Sequence, residues 1–386
     1  MNIRPEVEDI KDNIIQWRRD FHQYPELGFK EFRTSNIIAE SLTSFGISPK
    51  TGIGETGITA DINFGEGPTI ALRADMDALP IQETSGLPFS SKNDGVMHAC
   101  GHDGHMAMLL GVAKILTQMD NELSGTIRFI FQPAEEGGGG ARYMINDGCL
   151  KGVDEIYGIH VWNYQPVGEV GIKKGAVMAS ADIFEIVING LGGHGAAPQG
   201  TVDAVVVAAN LIQALQTIIS RNTNPLESTV ITIGEINGGD NFNIVADKVR
   251  LSGTTRAYSE ENRSMIKLRM KEIIDGIAKS FGAEITINYK LGYPATINHS
   301  GPVKKVLKAA KDVVNSGAGE PYLSMGGEDF SYYLQKVPGC FFFVGSAPDG
   351  QKKLDTPHHC SHFNMDEKAL FIGASIYINL IENILG

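Results

Sequence analysis

Ile3, Val7, Ile10, Ile14, Trp17 and Phe21 recur every three or four positions, tracing one apolar face of a helix with Glu8, Asp12, Arg18 and Arg19 around it. The same period predicts a helix over about 34–45. Short apolar and β-branched runs at 58–62 and 69–73 then read as strands, parted by the turn Gly65-Glu66-Gly67-Pro68. Helical spacing returns over 105–119 and around 143–145, where Gly148 can end the helix, and unbroken apolar runs at 126–131 and 156–161 predict buried strands. Strands alternating with helices, without strict in-and-out alternation, predict an α/β fold whose central mixed sheet is flanked by helices.

From about residue 181 the order of elements changes. Strand 182–189, helix 203–221, strands 228–235 and 248–258, helix 260–281 and strand 284–289 follow as βαββαβ. That is the order of a ferredoxin-like α+β unit, which closes as a layer of its own. After Pro294 come a helix over 302–315, a very apolar strand at 340–344 and a closing helix over 366–385. The expected organisation is a discontinuous domain, 1–180 and 293–386, interrupted by an inserted domain of 181–292. A chain of 386 residues is long enough for both.

Composition narrows the function. With 42% hydrophobic and 20% charged residues the chain reads as globular. Its net charge, 33 − 45 = −12, argues against nucleic acid or an anionic membrane as partner. No run approaches the ~18 consecutive apolar residues of a spanning helix, and Met1 to Asp9 lacks the apolar core of a leader, so the cytoplasm is the expected address. Four cysteines without a CxxC do not make a disulfide framework, and one with a task is expected to work as a thiolate. Glycine, 45 of 386, gathers around acidic residues and histidines, where a backbone must turn sharply or approach a ligand.

Gly52-Ile53-Gly54-Glu55-Thr56-Gly57 matches GxGxxG, but a strand follows it where a dinucleotide site needs a helix, so it reads as a glycine turn feeding a strand. A GxSxG elbow, a GK[ST] phosphate loop and an HExxH helix are absent. What remains is a scatter of metal-ligand types. Cys100-Gly101-His102 puts a thiolate and an imidazole in a glycine-rich turn before a helix, whose positive end favours the thiolate. Glu135-Glu136 emerges at the end of a predicted strand, His160 lies on the next strand, and His358-His359-Cys360-Ser361-His362 follows near the far terminus. Singly, each has a bland reading: a buried apolar cysteine, a solvated glutamate pair, a hydrogen-bonded core histidine. Jointly they suit a thiolate, imidazole and carboxylate shell for two divalent ions.

Arg73-Ala74-Asp75-Met76-Asp77-Ala78-Leu79-Pro80, His98-Ala99-Cys100-Gly101-His102-Asp103-Gly104-His105, Gln132-Pro133-Ala134-Glu135-Glu136-Gly137, Gly193-His194-Gly195-Ala196-Ala197-Pro198 and Gly327-Glu328-Asp329-Phe330 together resemble the binuclear metallo-amidohydrolases. That family includes aminoacylases, hippurate hydrolases and indole-acetyl-amino-acid hydrolases. The resemblance implies Cys100, His102, Glu136, His160 and His359 as ligands of two divalent ions, Mn²⁺, Zn²⁺ or Co²⁺. His358 and His362 stay open as alternatives to His359, because Cys360-Ser361 stand where the family usually has Ser-Pro or Thr-Pro.

It also implies Glu135 as general base, Asp77 and Asp75 as supporting aspartates, and His194 as the donor that stabilises a tetrahedral oxyanion. Asn243 and Arg256 would hold a substrate carboxylate, and the inserted domain would serve as lid and dimer contact, giving a homodimer. The reaction expected is hydrolysis of the amide of an N-acyl amino acid, with Glu135 moving the proton. Alternatives are a dipeptidase or carboxypeptidase on small peptides and a metal-dependent binding protein. A thiol enzyme built on Cys100 lacks a separate partner histidine.

Overall fold

The computed structural model describes residues 1–119, 123–348, 350 and 355–386. The chain divides into two compact units, one of 1–177, 297–322 and 329–386, the other of 178–296 and 323–328.

The first unit is built on an eight-stranded mixed sheet. Its strands run in the order Pro49–Ile53, Gly57–Asn63, Thr126–Gln132, Thr69–Asp75, Glu155–Pro166, Gly339–Ala347, Val170–Gly171 and Ala318–Gly319. The central three contacts, among Thr126–Gln132, Thr69–Asp75, Glu155–Pro166 and Gly339–Ala347, are all parallel. Parallel strands with both faces covered need no alternation, which is why they read as continuous apolar runs. The segments predicted on either side of the Gly65–Pro68 turn do not pair; Thr126–Gln132 lies between them. The Gly52–Gly57 segment is a hairpin turn between the two outermost strands of one edge, with Glu55 at φ 75°.

Helices flank this sheet. His102–Leu116 is buried along nearly its whole length and is packed by Lys11–Gln23 and by Lys368–Leu385. It starts three residues earlier than its apolar period predicts, because Gly101 at φ 88° turns the chain into it and draws His102 into the first turn. The N-terminal stripe also departs from expectation: the helix breaks at Ile10 into Pro5–Asp9 and Lys11–Gln23, yet Val7, Ile10, Ile14 and Phe21 all remain buried. Lys368–Leu385 is long and apolar enough to cross a membrane, but its apolar residues are spent in this core.

In the second unit four antiparallel strands run in the order Thr229–Gly238, Lys248–Ala257, Ser180–Asn189, Glu284–Tyr293. Taken in chain order that is 2-3-1-4, with the helices Ala204–Thr217 and Glu260–Phe281 packed on the sheet. Ser180–Asn189 alternates buried and half-open positions, turning Phe184, Ile186 and Ile188 into the core. Both helices start at side-chain caps: Asp203 accepts from the Val205 and Val206 N–H, and Ser259 from that of Asn262. Apart from this sheet, Gly193–His194 pairs with Ile244–Val245 in a short ribbon that no periodicity announced.

Candidate metal centre

The parallel strands deliver the site. Thr69–Asp75 carries Asp75 at its last position and Asp77 just beyond, Thr126–Gln132 runs into Glu135 and Glu136, and Glu155–Pro166 carries His160. Cys100 precedes the core helix. A Cβ on Gly101 would stand 2.4 Å from Cγ2 of Val161, so both the left-handed turn and the close approach require glycine there. His359, itself at φ 65°, is tied to the same turn by its N–H, which donates to Ala99 O at 2.8 Å.

Hydrogen bonds decide which imidazole nitrogens are free. A carbonyl can only accept, so Nδ1 of His102, 2.8 Å from Asp77 O, carries a proton, and so does Nδ1 of His160, 2.5 Å from Val161 O. Both rings therefore present Nε2 to the site, the orienting device of histidine ligands. His105 is different: its Nε2 accepts the Val161 N–H at 2.9 Å and its Nδ1 lies 2.6 Å from Asp75 Oδ1, so neither nitrogen is left to bind. His358 Nε2 likewise accepts the Asn163 N–H, and His362 Nε2 lies 3.0 Å from Asp355 O. His359 stands apart, with Nε2 3.1 Å from Glu136 Oε1.

Donor atoms of Cys100, His102 and His160 lie within 4.8 Å of one another, as do those of Cys100, Glu136 and His359 and those of His102, Glu135 and Glu136. Cys100 Sγ is common to the first two groups. Buried Nε2 of His102 makes no hydrogen bond among the described residues, and Oε1 of Glu136 has only its 3.1 Å approach to His359 Nε2; the two atoms lie 4.0 Å apart, a pair that a cation between them would satisfy. The electrostatics agree. Burial pushes the Cys100 thiol well above its usual range, and Glu136, Glu135 and Asp75 push the same way. Burial opposes the His102 imidazolium, but Asp75, Asp77 and Glu136 outweigh it and lift the group to about 10. Such a concentration of negative charge, imidazole and thiol donors fits divalent cations.

Asp77 holds the carboxylate pair from behind. Its Oδ1 accepts the Glu135 N–H and its Oδ2 the Glu136 N–H, each at 2.9 Å. Asp75 is held by Arg73, whose Nη1 donates at 2.7 Å. Arg73 also binds Asp329 at 3.0 Å, and Gln132 and the Ala141 N–H bind that same carboxylate. Sequence reading assigned no role to His105, Arg73, Gln132 or Asp329. The only signal available was their place inside the quoted motifs.

The second unit holds the remaining candidates. The ribbon brings His194 opposite Ile244, and the Gly195 N–H donates to Asn243 O at 2.8 Å. His194 Nδ1 accepts the Ala196 N–H at 3.0 Å, which in the neutral ring leaves Nε2 as a donor. Half-buried Arg256 donates to Thr255 O at 3.1 Å and feels the charge of Asp182, but makes no salt bridge among the described residues.

Residues 71–383 match the model of peptidase family M20/M25/M40. The chain belongs to that family. An N-acetyl-L-cysteine deacetylase of Bacillus subtilis is 43% identical over 376 residues, 96% of this chain and 88% of its own. Thermostable carboxypeptidase 2 of Saccharolobus solfataricus is 42% identical over 96% of this chain and 95% of its own. The Bacillus subtilis YXEP protein, described as a dinuclear metal binding peptidase from M20 family, superposes with a TM-score of 0.84 at 36% identity, covering 98% of this chain and 99% of its own. This M20 chain is thus an enzyme of the peptidase and amidohydrolase type, and its matched span contains all five candidate ligands.

Proposed function

We propose that the chain hydrolyses the amide bond of N-acyl amino acids, releasing a carboxylic acid and a free amino acid, with two divalent ions held by Cys100, His102, Glu136, His160 and His359. The observation that carries this reading is the pair of donor groups sharing Cys100 Sγ, with Glu135 beside one of them. Bound there, the ions would supply Lewis acidity toward the scissile carbonyl and toward water.

The chain's own residues do the rest. Glu135 takes the proton of the attacking water and passes it to the leaving amine, while Asp77 keeps the backbone of Glu135 and Glu136 in place. His194 donates from Nε2 to the oxyanion. Arg256, a cation with no salt bridge among the described residues, and Asn243 hold the α-carboxylate of the substrate. The second unit, 181–292 by its sequence pattern, acts as lid and dimer contact. Its two outer strands and the exposed Ile183, Ile236 and Leu291 support pairing with a second copy.

The carboxypeptidase relative favours a second reading, cleavage of small peptides by the same machinery. A panel of N-acyl amino acids and dipeptides, assayed with metal analysis, separates the two. We expect acyl amino acids to turn over faster, chelation to stop hydrolysis, and Mn²⁺, Zn²⁺ or Co²⁺ to restore it. Unchanged turnover after complete stripping would end the two-ion reading.

A further inference from the structure

Glu31 is wholly buried and stands at the N-cap of the helix Phe32–Ser44, yet its carboxylate caps nothing. It reaches across the chain instead. Oε1 accepts the Ala134 N–H at 2.9 Å, and Oε2 accepts from Thr56 Oγ1 at 2.5 Å. Ala134 is the residue before Glu135, and its φ of 51° is one that a side chain rarely adopts.

Three consecutive peptide N–H groups are thus taken by two carboxylates: Ala134 by Glu31, Glu135 and Glu136 by Asp77. The peptide planes on either side of Cα135 are both held by Asp77. Those on either side of Cα134 are held by different residues, one by Glu31 and the next by Asp77, so the left-handed turn at Ala134 depends on the two together. That turn is strained in a non-glycine residue and persists only where its surroundings over-determine it. The space is also closed. A Cβ on Gly28 would meet Ala134 Cβ at 2.9 Å, and one on Gly138 would meet it at 2.7 Å. Without the Glu31 bond, the favoured relaxation of Ala134 is to negative φ, which rotates the chain that aims Glu135.

We propose that Glu31 is a positioning residue for Glu135, fixing the turn at Ala134 that points the Glu135 carboxylate at the metal centre. This rests on the reading of Glu135 as general base. Glu31 lies outside the span 71–383 matched by the family, and no helical or strand period marks it.

The test compares Glu31→Gln with Glu31→Ala at full metal load, using the acyl amino acid that the panel selects. Glutamine keeps an acceptor for the Ala134 N–H and offers a donor to Thr56, whereas alanine keeps neither. We expect Glu31→Gln to hold kcat within about threefold. Glu31→Ala should lose roughly 10- to 100-fold in kcat, as small misplacements of reacting groups do, with KM and metal content unchanged. A purely structural role would lower the melting temperature and leave kcat per loaded site alone. If the alanine variant does not fold, Thr56→Val, which frees only one oxygen of Glu31, should lower kcat several-fold at constant KM. An unchanged kcat in Glu31→Ala, or in Thr56→Val where that variant decides, overturns the proposal, as does a glutamine variant as slow as the alanine one. Glu135→Gln run alongside separates the premise: if it turns over normally, the base reading fails and takes this inference with it. If it is inactive while Glu31→Ala is not, only the positioning role is lost.

Discussion

The main-chain carbonyl of Asp77 accepts from Nδ1 of His102 at 2.8 Å, so a single residue orients a metal-ligand candidate with its backbone and the Glu135–Glu136 pair with its side chain. The two tasks separate by mutation. In Asp77→Asn the carbonyl bond to His102 survives, but an amide NH₂ faces one of the two peptide N–H groups. We expect metal stoichiometry to be kept, kcat to fall about 10- to 100-fold, and stability to drop by about 1–3 kcal/mol, the cost of a buried donor left unmet. Metal analysis and chemical denaturation check both halves.

Removing Glu135, the proposed base, should be more severe. Glu135→Gln keeps the shape of the side chain and should retain two ions per chain while losing about 10²- to 10⁴-fold in kcat, the usual contribution of a positioned general base.

Three histidines crowd the C-terminal motif, and their hydrogen bonds predict different losses. His359→Asn preserves a side chain tolerant of φ 65° but removes the imidazole, so calorimetric titration should show one of the two ions bound far more weakly. His362→Ala, whose ring contacts Asp355 O, should leave both affinities as they were.

Buried His22 lies between two carboxylates, 2.8 Å from Asp103 Oδ2 and 3.2 Å from Glu83 Oε1. Burial works to raise Glu83, but His22, Ser85 and the Ser91 N–H outweigh it and bring the group from 4.5 down to about 2. A depressed carboxylate contributes stability that is complete above about pH 4.5 and is lost as the pH falls toward 2. For His22 burial is again the largest effect, overcome by Asp103 and Glu83, and the group is raised; its contribution is complete below 6.5 and fades as the pH climbs through the folded value. Glu83→Gln should cost about 1.5–3 kcal/mol near neutrality and flatten the acid limb of the melting-temperature profile.

Gly140 tests how tightly the carboxylate loop is closed. A Cβ there would stand 1.8 Å from Pro133 O, so Gly140→Ala must displace the backbone that leads into Glu135. We expect a loss of about 1–3 kcal/mol in denaturant titration, the usual cost of overpacking, together with reduced kcat.

Much of this was written in local order. The strands expected at 69–73, 126–131 and 156–161 were legible because strands covered on both faces read as continuous apolar runs, and the elements expected over 181–292 because their helices and strands carry their own periods. The donor types of Cys100, His102, Glu136, His160 and His359 were legible as chemistry.

Other features depend on partners distant in sequence. The preference for His359 as candidate ligand, the engagement of His105 Nε2 and the task proposed for Glu31 each involve a contact with a residue 56 to 223 positions away, Glu136, Val161 and Ala134 respectively. A period of 2 or 3.6 residues reports which face of an element is buried, but not which distant N–H a buried nitrogen or oxygen will meet. That pairing exists only once the parallel strands have brought their ends together.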